Sequence, residues 1–181
     1  MRREQELMSA LAKTTFRLHG QLVAIGEVLA QPSGMTGASW QVLAAVLRAP
    51  LSVADIAREI GVTRQSVQRI ADRLVAQGLA DYRPNPRHRR AKLLTPTGTG
   101  RDAIRRIGPG HAAFAARLAD ELGVATMENA LAAVRRLSEV LETLQRPHRQ
   151  VRRRYRVTAA HTRRQRSQTG STSAIPSSVR S

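Results

Sequence analysis

The spacing of apolar residues along the chain predicts a mainly helical protein. Over 4–30, apolar side chains recur at alternating steps of three and four, which predicts one long helix with a heptad seam. The same periodicity, with capping residues and Gly or Pro stops, predicts further helices over 36–48, 52–60, 63–77 and 126–146. The predicted N-caps of the first three of these helices are Thr36, Ser52 and Thr63.

Another helix is predicted to begin after Pro96 and to continue as far as about residue 123. Within it stands the tripeptide Gly108-Pro109-Gly110. Because proline lacks a backbone N–H and clashes with the preceding turn, we expect this tripeptide to break or sharply kink the helix.

One short region has the pattern of strands rather than helices. The sequence LADYR over 79–83 predicts a short strand, PNPRHRR over 84–90 a turn, and AKLL over 91–94 a returning strand. A hairpin of this size is not stable alone, so we expect it to pack against the helices.

The two short helices on either side of Gly61 have the spacing of a helix-turn-helix. Ala57 is small where the helices must approach closely, and we expect Val62 to fill the space behind the turn. The second helix of the pair carries a single apolar stripe made of Val67, Ile70, Ala71, Leu74 and Val75. Its opposite face is polar and cationic, with Asp72 as the one acid.

Charge makes a polyanionic partner the main expectation. The formal net charge is +17, and residues 146–181 contribute ten arginines and no acid. Residues 1–145 hold 20 basic and 13 acidic side chains. This balance favours DNA, RNA or an acidic membrane surface as the partner. Because apolar periodicity ends near residue 145, we predict a disordered, arginine-rich tail over 146–181.

The polar face of the helix over 63–77 carries side chains that can read DNA. A helix fits the major groove, where arginine recognises guanine and glutamine recognises adenine. Short hydroxyls suit phosphates, and turn arginines can reach the adjacent minor groove or backbone. The residues predicted to contact DNA are Ser52, Thr63, Arg64, Gln65, Ser66, Gln68, Arg69, Arg73, Arg87, His88, Arg89, Arg90 and Lys92. The alternative is an ordinary solvated helix face and a charged turn.

These features together resemble the multiple-antibiotic-resistance regulator (MarR) family of bacterial winged-helix repressors. The resemblance rests on the long first helix, the helix-turn-helix, the RHRRAKLLTPTG hairpin and two closing helices. It covers 4–145 and is strongest over 52–98. It implies a mainly α fold, a winged helix-turn-helix with a small β-hairpin wing over 83–92. The resemblance also implies a DNA-binding lobe over about 36–98, and dimerisation helices over about 4–31 and 99–145.

The resemblance further implies a homodimer on a pseudo-palindromic operator and a small phenolic or anionic effector that releases DNA. The heptad seams support dimerisation independently, through Leu11, Leu18, Leu22, Val134, Leu137 and Leu141. Burial of those seams within one chain is the alternative. Candidate effector-binding residues are Phe16, His19, Trp40, His111 and Phe114.

Other function classes are less well supported by the sequence. No cysteine is present, the five histidines lack metal-ligand spacing, and no Gly-rich phosphate loop follows a strand, so we expect no enzyme, cofactor or metal. No apolar run of about 18 residues occurs, so we expect a cytoplasmic protein without membrane partners. The alternatives are a sequence-independent nucleic-acid binder dominated by its tail, and a protein-interaction module whose basic tail meets a membrane.

Overall fold

The structure is a computed structural model that describes residues 2–88 and 90–144. Its elements are α1 (Arg3–Ala30), α2 (Gly37–Ala45), β1 (Leu51–Ser52), α3 (Val53–Glu59), α4 (Arg64–Ala76), β2 (Ala80–Arg83), β3 (Leu93–Pro96), α5 (Gly98–Leu122) and α6 (124–144). A helix-turn-helix followed by a hairpin confirms the predicted fold class. None of the helices in the described residues is both long and apolar enough to cross a membrane.

The N-terminal boundaries of three helices follow from local capping, as predicted. The Thr36 hydroxyl accepts a hydrogen bond from the Ser39 amide, and the Ser52 and Thr63 hydroxyls do the same for the amides three residues ahead. Each cap satisfies an amide that has no partner inside the first turn. α1 ends at Ala30, as predicted, and a 3₁₀ turn over Gln31–Ser33 then accommodates Pro32 before Gly34 adopts φ 73°.

The predicted break in the fifth helix is wrong, because α5 continues through the Gly-Pro-Gly tripeptide. Pro109 lies on the exposed side of the helix, where water can satisfy the carbonyl group that proline leaves without a donor. The helix is anchored on both sides of it. Ile107 is buried in the core, and the His111 ring meets the Trp40 ring edge-on with centroids 5.6 Å apart.

The sheet has one more strand than predicted, and its last strand begins later. β3 lies between β1 and β2 and is antiparallel to both. The prediction placed the returning strand over 91–94, two residues too early. The pairing of Ala80 with Pro96 and of Tyr82 with Leu94 sets the observed register. That register buries Leu94. Because Leu94 belongs to both the predicted strand and the observed one, the apolar pattern alone did not distinguish between these two strand positions.

The hairpin is fixed to the start of α5 by a close backbone approach. The Thr97 amide donates to the Leu79 carbonyl at 3.1 Å, and the Thr97 hydroxyl donates to the Gly78 carbonyl at 2.7 Å. Gly100 faces the same backbone, and a methyl group there would overlap the Leu79 carbonyl. Glycine is therefore required at this position of α5 for the hairpin to pack against it.

The core of this region is formed mainly by α2, α3, α4 and β3. Its fully buried large side chains are Val42, Leu43, Val46, Ile56, Val67, Leu74, Leu94 and Ile107. The long helix α1 contributes little to that core, because Ala30 is its one buried residue among those described. Its crossing with α2 is close, since a Cβ at Gly37 would lie 2.9 Å from the backbone of Gly26.

Residue contacts divide the chain into one unit over 1–118 and a second that begins at residue 119. In the first unit, the seam residues Leu11, Leu18 and Leu22 are exposed. In the second, Val134 on α6 is exposed, while Leu137 and Leu141 are half-buried. The predicted tail over 146–181 lies outside the described residues.

Candidate nucleic-acid interface

The turn between α3 and α4 has the geometry that the sequence predicted, with one exception. Gly61 adopts φ 72°, a left-handed conformation that favours glycine, and the Val62 amide donates to the Ala57 carbonyl at 3.1 Å. Ala57 is buried between the helices. Val62, expected to fill the space behind the turn, is instead 43% exposed.

The orientation of α4 is set by its apolar stripe. Val67, Ala71 and Leu74 are completely buried, so the opposite side of the helix must face solvent. The exposed residues on this helix include all five of the long polar side chains predicted to reach DNA, namely Arg64, Gln65, Gln68, Arg69 and Arg73. The helix therefore presents three guanidinium groups and two amides outward.

Thr63 and Ser66, predicted to contact phosphates, bond to each other at the start of α4. Their hydroxyl oxygens are 2.8 Å apart, and the Thr63 oxygen also accepts from the Ser66 amide at 3.1 Å. Whichever hydroxyl accepts the mutual bond keeps its own hydrogen free. The pair can therefore cap the helix and still offer one donor to a phosphate.

The Ser52 hydroxyl is engaged within the protein. Its side chain is only 6% exposed, and its hydroxyl donates to the Asp55 carboxylate at 2.6 Å while accepting from the Asp55 amide. The hydrogen bond from Ser52 is the main cause that lowers the pKa of Asp55 below its usual value. Ser52 is therefore the N-cap of α3, and its contact with DNA stays a prediction.

The wing loop between β2 and β3 presents a second group of cations. Four residues in or beside this loop were predicted to contact DNA and are exposed. They are Arg87, His88, Arg90 and Lys92. The Asn85 side chain accepts a hydrogen bond from the Arg87 amide at 2.9 Å, which shapes the turn. Arg89 lies outside the described residues, so its contact with DNA stays a prediction.

A hydrogen-bonded triad joins α4 to the wing hairpin. The Gln68 amide nitrogen donates to Asp72 Oδ1 and to the Tyr82 hydroxyl oxygen, both at 2.8 Å. The Tyr82 hydroxyl in turn donates to Asp72 Oδ1 at 2.7 Å. The Lys92 ammonium lies 5.8 Å from the centroid of the Tyr82 ring, within range of a cation–π contact. These contacts connect α4 with β2 and with Lys92, the residue that precedes β3.

The triad also determines the acid–base behaviour of Tyr82. Partial burial of the phenol is the largest cause that raises the pKa of Tyr82 to about 12, and the Asp72 carboxylate adds to the effect. A negative charge on the phenol would lie beside that of Asp72. The hydroxyl therefore remains a proton donor to the carboxylate at neutral pH.

Asp72 and Tyr82 were not among the residues predicted for the site. The spacing of Gln68 and Asp72, four apart on one helix, was visible in the sequence and is typical of side-chain pairs. The contribution of Tyr82 depends on the packing of the hairpin against α4, which no local pattern specifies.

A groove of about 320 Å³ separates α4 from the wing. Among the described residues that line it, the cationic ones are Arg64, Arg90 and Lys92, and the one acidic residue is Asp72. Because three cationic side chains line the groove against one carboxylate, the groove has the character of an anion-binding surface.

A larger cavity, of about 860 Å³, lies between α1, α2 and α5. Three of the five candidate effector residues line it, namely Trp40, His111 and Phe114. Phe16 and His19 do not, because both lie on the exposed surface of α1. Leu22, predicted for the dimer seam, contributes to the cavity wall, as do the charged residues Arg48 and Glu59. Within the described part of the chain, no cluster of His, Asp or Glu could hold a metal ion.

Comparison with known proteins gives matches over both the interface and the whole fold. Residues 33–91 match the model of the MarR family. The chain is 39% identical over 135 residues to the uncharacterized protein Rv2011c of Mycobacterium tuberculosis, covering 75% of this chain and 94% of that protein. It is 30% identical over 102 residues to the transcriptional activatory protein BadR of Rhodopseudomonas palustris, covering 54% of this chain and 58% of BadR.

Solved structures have the same fold. The Mycobacterium tuberculosis transcriptional regulator MosR, solved in complex with DNA, superposes with a TM-score of 0.60 at 23% identity, covering 72% of this chain and 96% of MosR. BpsR of Bordetella bronchiseptica, whose DNA binding is regulated by 6-hydroxynicotinic acid, has a TM-score of 0.62 at 24% identity, covering 71% of this chain and 98% of BpsR.

The raised pKa of Tyr82 gives a direct test of the triad. In the Tyr155→Phe variant, which removes the other tyrosine of the chain, we expect tyrosinate absorbance to appear near pH 12 in the folded protein. The same protein in urea should ionise near pH 10. Because folding retains the proton, the stability that this group contributes is present below pH 10 and is lost between pH 10 and about 12.

Asp72→Asn in the same background is the matched control for the carboxylate. It should lower the pKa of Tyr82 without restoring it to the value in urea, since burial is the larger cause. Circular dichroism at each pH verifies that the protein is folded. Ionisation of Tyr82 at its ordinary pKa in the folded protein would show that the triad does not form.

Proposed function

Because the chain belongs to the MarR family, we propose that it is a transcriptional regulator that binds specific sites on double-stranded DNA. In this proposal α4 enters the major groove and the wing meets the adjacent minor groove or backbone. The observation that carries the proposal is the outward face of α4, whose arginines and glutamines are exposed because the opposite stripe is buried. The protein acts through binding rather than catalysis, in the compartment that holds the DNA, the cytoplasm.

The charges of α4 support its assignment as the recognition helix. Three arginines stand on its exposed face, and its one acid, Asp72, is occupied by Gln68 and Tyr82. The three arginines outnumber this one carboxylate, so the exposed face of α4 is cationic overall. The arginines near the N-terminal end, Arg64 and Arg69, are the ones we assign to base edges, because that end of a recognition helix reaches deepest.

We assign the wing to contacts that are independent of sequence. Arg90 and Lys92 line the groove beside α4, and Arg87 extends from the loop. Arginine is favoured in the narrow minor groove and on phosphates, and such contacts set affinity and register more than they set base preference. The basic residues of 146–181 add further unspecific attraction in this account.

A homodimer is the proposed binding unit. The exposed seam residues of α1 and the apolar residues on α6 supply surfaces that a second chain can cover. Twofold pairing places two recognition helices about 34 Å apart, which matches one turn of DNA and a pseudo-palindromic operator. The seam residues of α1 are exposed in the first unit, which favours a homodimer over burial of that seam within the unit.

Repression is the proposed outcome of binding, with release by a small effector. Occupation of a promoter is sufficient to exclude polymerase, whereas activation requires an additional contact with it. The relative BadR is named a transcriptional activatory protein, so activation is the alternative outcome. Transcription in vitro from a promoter that carries the selected site tests the sign, and a rise in transcript on adding protein would contradict repression.

The effector is proposed to bind in the cavity lined by Trp40, His111 and Phe114. Its volume of about 860 Å³ is sufficient for a small aromatic molecule, and its aromatic walls suit a planar ring. Arg48 supplies a cation for a carboxylate or phenolate, and Glu59 limits the tolerated negative charge. The comparison with BpsR, regulated by 6-hydroxynicotinic acid, supports this class of ligand.

Two arginine variants test the division between base reading and backbone contact. Arg69→Ala is expected to reduce discrimination between the preferred site and unrelated DNA by about 1–3 kcal/mol, since it removes a bidentate contact. Arg90→Ala is expected to weaken binding to all DNA sequences by the same factor, so that discrimination between them does not change. Competition binding at fixed salt measures both effects.

Arg105→Ala is the matched control, because that guanidinium pairs with Asp102 on α5, outside the proposed interface. Arg105→Ala should change neither the discrimination between sites nor the affinity for DNA in general. Equal losses of discrimination in the Arg69→Ala and Arg90→Ala variants would contradict the proposed roles.

The single tryptophan of the chain reports on the cavity. We expect 6-hydroxynicotinic acid, used as the first probe, to change the fluorescence of Trp40 and to lower the affinity for the selected site. Ala44→Leu reduces the cavity volume and should abolish both effects, whereas His19→Asn, outside the cavity, should preserve them. Retention of both effects in Ala44→Leu would place the ligand elsewhere.

A further inference from the structure

The triad between α4 and the wing determines which atoms of Gln68 are free to meet DNA. Its amide nitrogen carries two hydrogens, and the structure gives that nitrogen two acceptors, Asp72 Oδ1 and the Tyr82 hydroxyl oxygen. We assign one N–H to each acceptor, an arrangement that engages both donors within the protein. Among the described residues, the Gln68 carbonyl oxygen accepts no hydrogen bond, and the side chain is exposed on the outward face of the helix.

The orientation of this amide follows from the chemistry of its partners. An ionised carboxylate such as Asp72 is only an acceptor, so the Gln68 carbonyl oxygen cannot take the place of the nitrogen without repulsion. The Tyr82 hydroxyl directs its own hydrogen to Asp72, which leaves its lone pair to accept from Gln68. Reversal of the amide would break both of the bonds that Gln68 makes.

A free glutamine reads adenine in a different way. It accepts from the adenine N6 amino group and donates to the adenine N7 atom, so it uses both ends of the amide. In this protein the donating end of Gln68 is held by the triad. The remaining acceptor can pair with any base that presents an amino group in the major groove, which is adenine through N6 or cytosine through N4.

We propose that Gln68 is a specificity-determining residue that presents only its carbonyl oxygen to DNA and therefore selects an amino base, adenine or cytosine, over guanine and thymine. Asp72 and Tyr82 act as positioning residues that hold the amide in this state. The inference rests on the proposed function, because it requires α4 to lie in the major groove.

The wing takes part in this selection without contacting the base. Tyr82 belongs to β2, and its ring is held from one side by the Lys92 ammonium. The position of the hydroxyl therefore depends on the hairpin as well as on its bonds to Gln68 and Asp72 of α4. A regulator built in this way couples the placement of its wing to the hydrogen-bonding state of a base-reading side chain on another element.

The test measures base preference rather than affinity alone. Site selection with the full chain first defines an operator, and Gln68→Ala then identifies the base pair whose preference depends on Gln68. Four duplexes that differ only at that base pair are compared by competition binding. The wild type should bind the adenine and cytosine duplexes with similar affinity and the guanine and thymine duplexes about tenfold more weakly.

Tyr82→Phe frees one Gln68 N–H while keeping the ring beside Lys92. We expect it to raise the preference for adenine over cytosine by about tenfold, because the amide can now donate to N7. Asp72→Ala, a second variant that frees the other N–H, should shift the preference in the same direction. In the Gln68→Ala background, Tyr82→Phe should have no effect on the ratio.

Three outcomes would overturn the inference. The wild type could already prefer adenine strongly, Tyr82→Phe could change all four affinities by one factor as a purely structural role predicts, or Gln68→Ala could leave every base preference intact. If the wild type does not discriminate between the selected operator and unrelated DNA, the proposed function itself fails. That result is distinguishable from the other three, each of which retains an operator.

Discussion

The burial of one stripe on α4 is the constraint on which the rest of the site depends. Val67, Ala71 and Leu74 have no exposed surface, and their removal from water contributes a few kcal/mol, in keeping with about 25 cal/mol per Å² of apolar area. A rotation of the helix that exposed the stripe would lose that contribution. The arginines and glutamines on the other face are consequently held outward before any partner arrives.

The triad of Gln68, Asp72 and Tyr82 turns this helix and the wing into one binding surface. The Tyr82 hydroxyl on β2 accepts a hydrogen bond from the Gln68 amide on α4 and donates one to Asp72, the one acid of that helix. Rigid placement of groups before binding lowers the entropy that association must offset.

Local interactions explain why so much of the fold was predictable. The caps at Thr36, Ser52 and Thr63 and the turn at Gly61 each depend on a few neighbouring residues, and the structure confirms them. The errors arose where distant contacts decide the outcome. Exposure of Pro109, between anchored turns, lets α5 continue, and pairing with both neighbouring strands moves β3 two residues along the chain. For the same reason, the sequence indicated an outward cationic face but not the link to Tyr82.

Methylation interference tests the central claim most directly, because it identifies both the groove and the number of contacts. Methyl groups at guanine N7 obstruct the major groove and leave the minor groove open. Two recognition helices should give two clusters of interfering guanines about 10 base pairs apart on the selected operator. A single cluster, or binding that tolerates N7 methylation throughout, would contradict the twofold major-groove account.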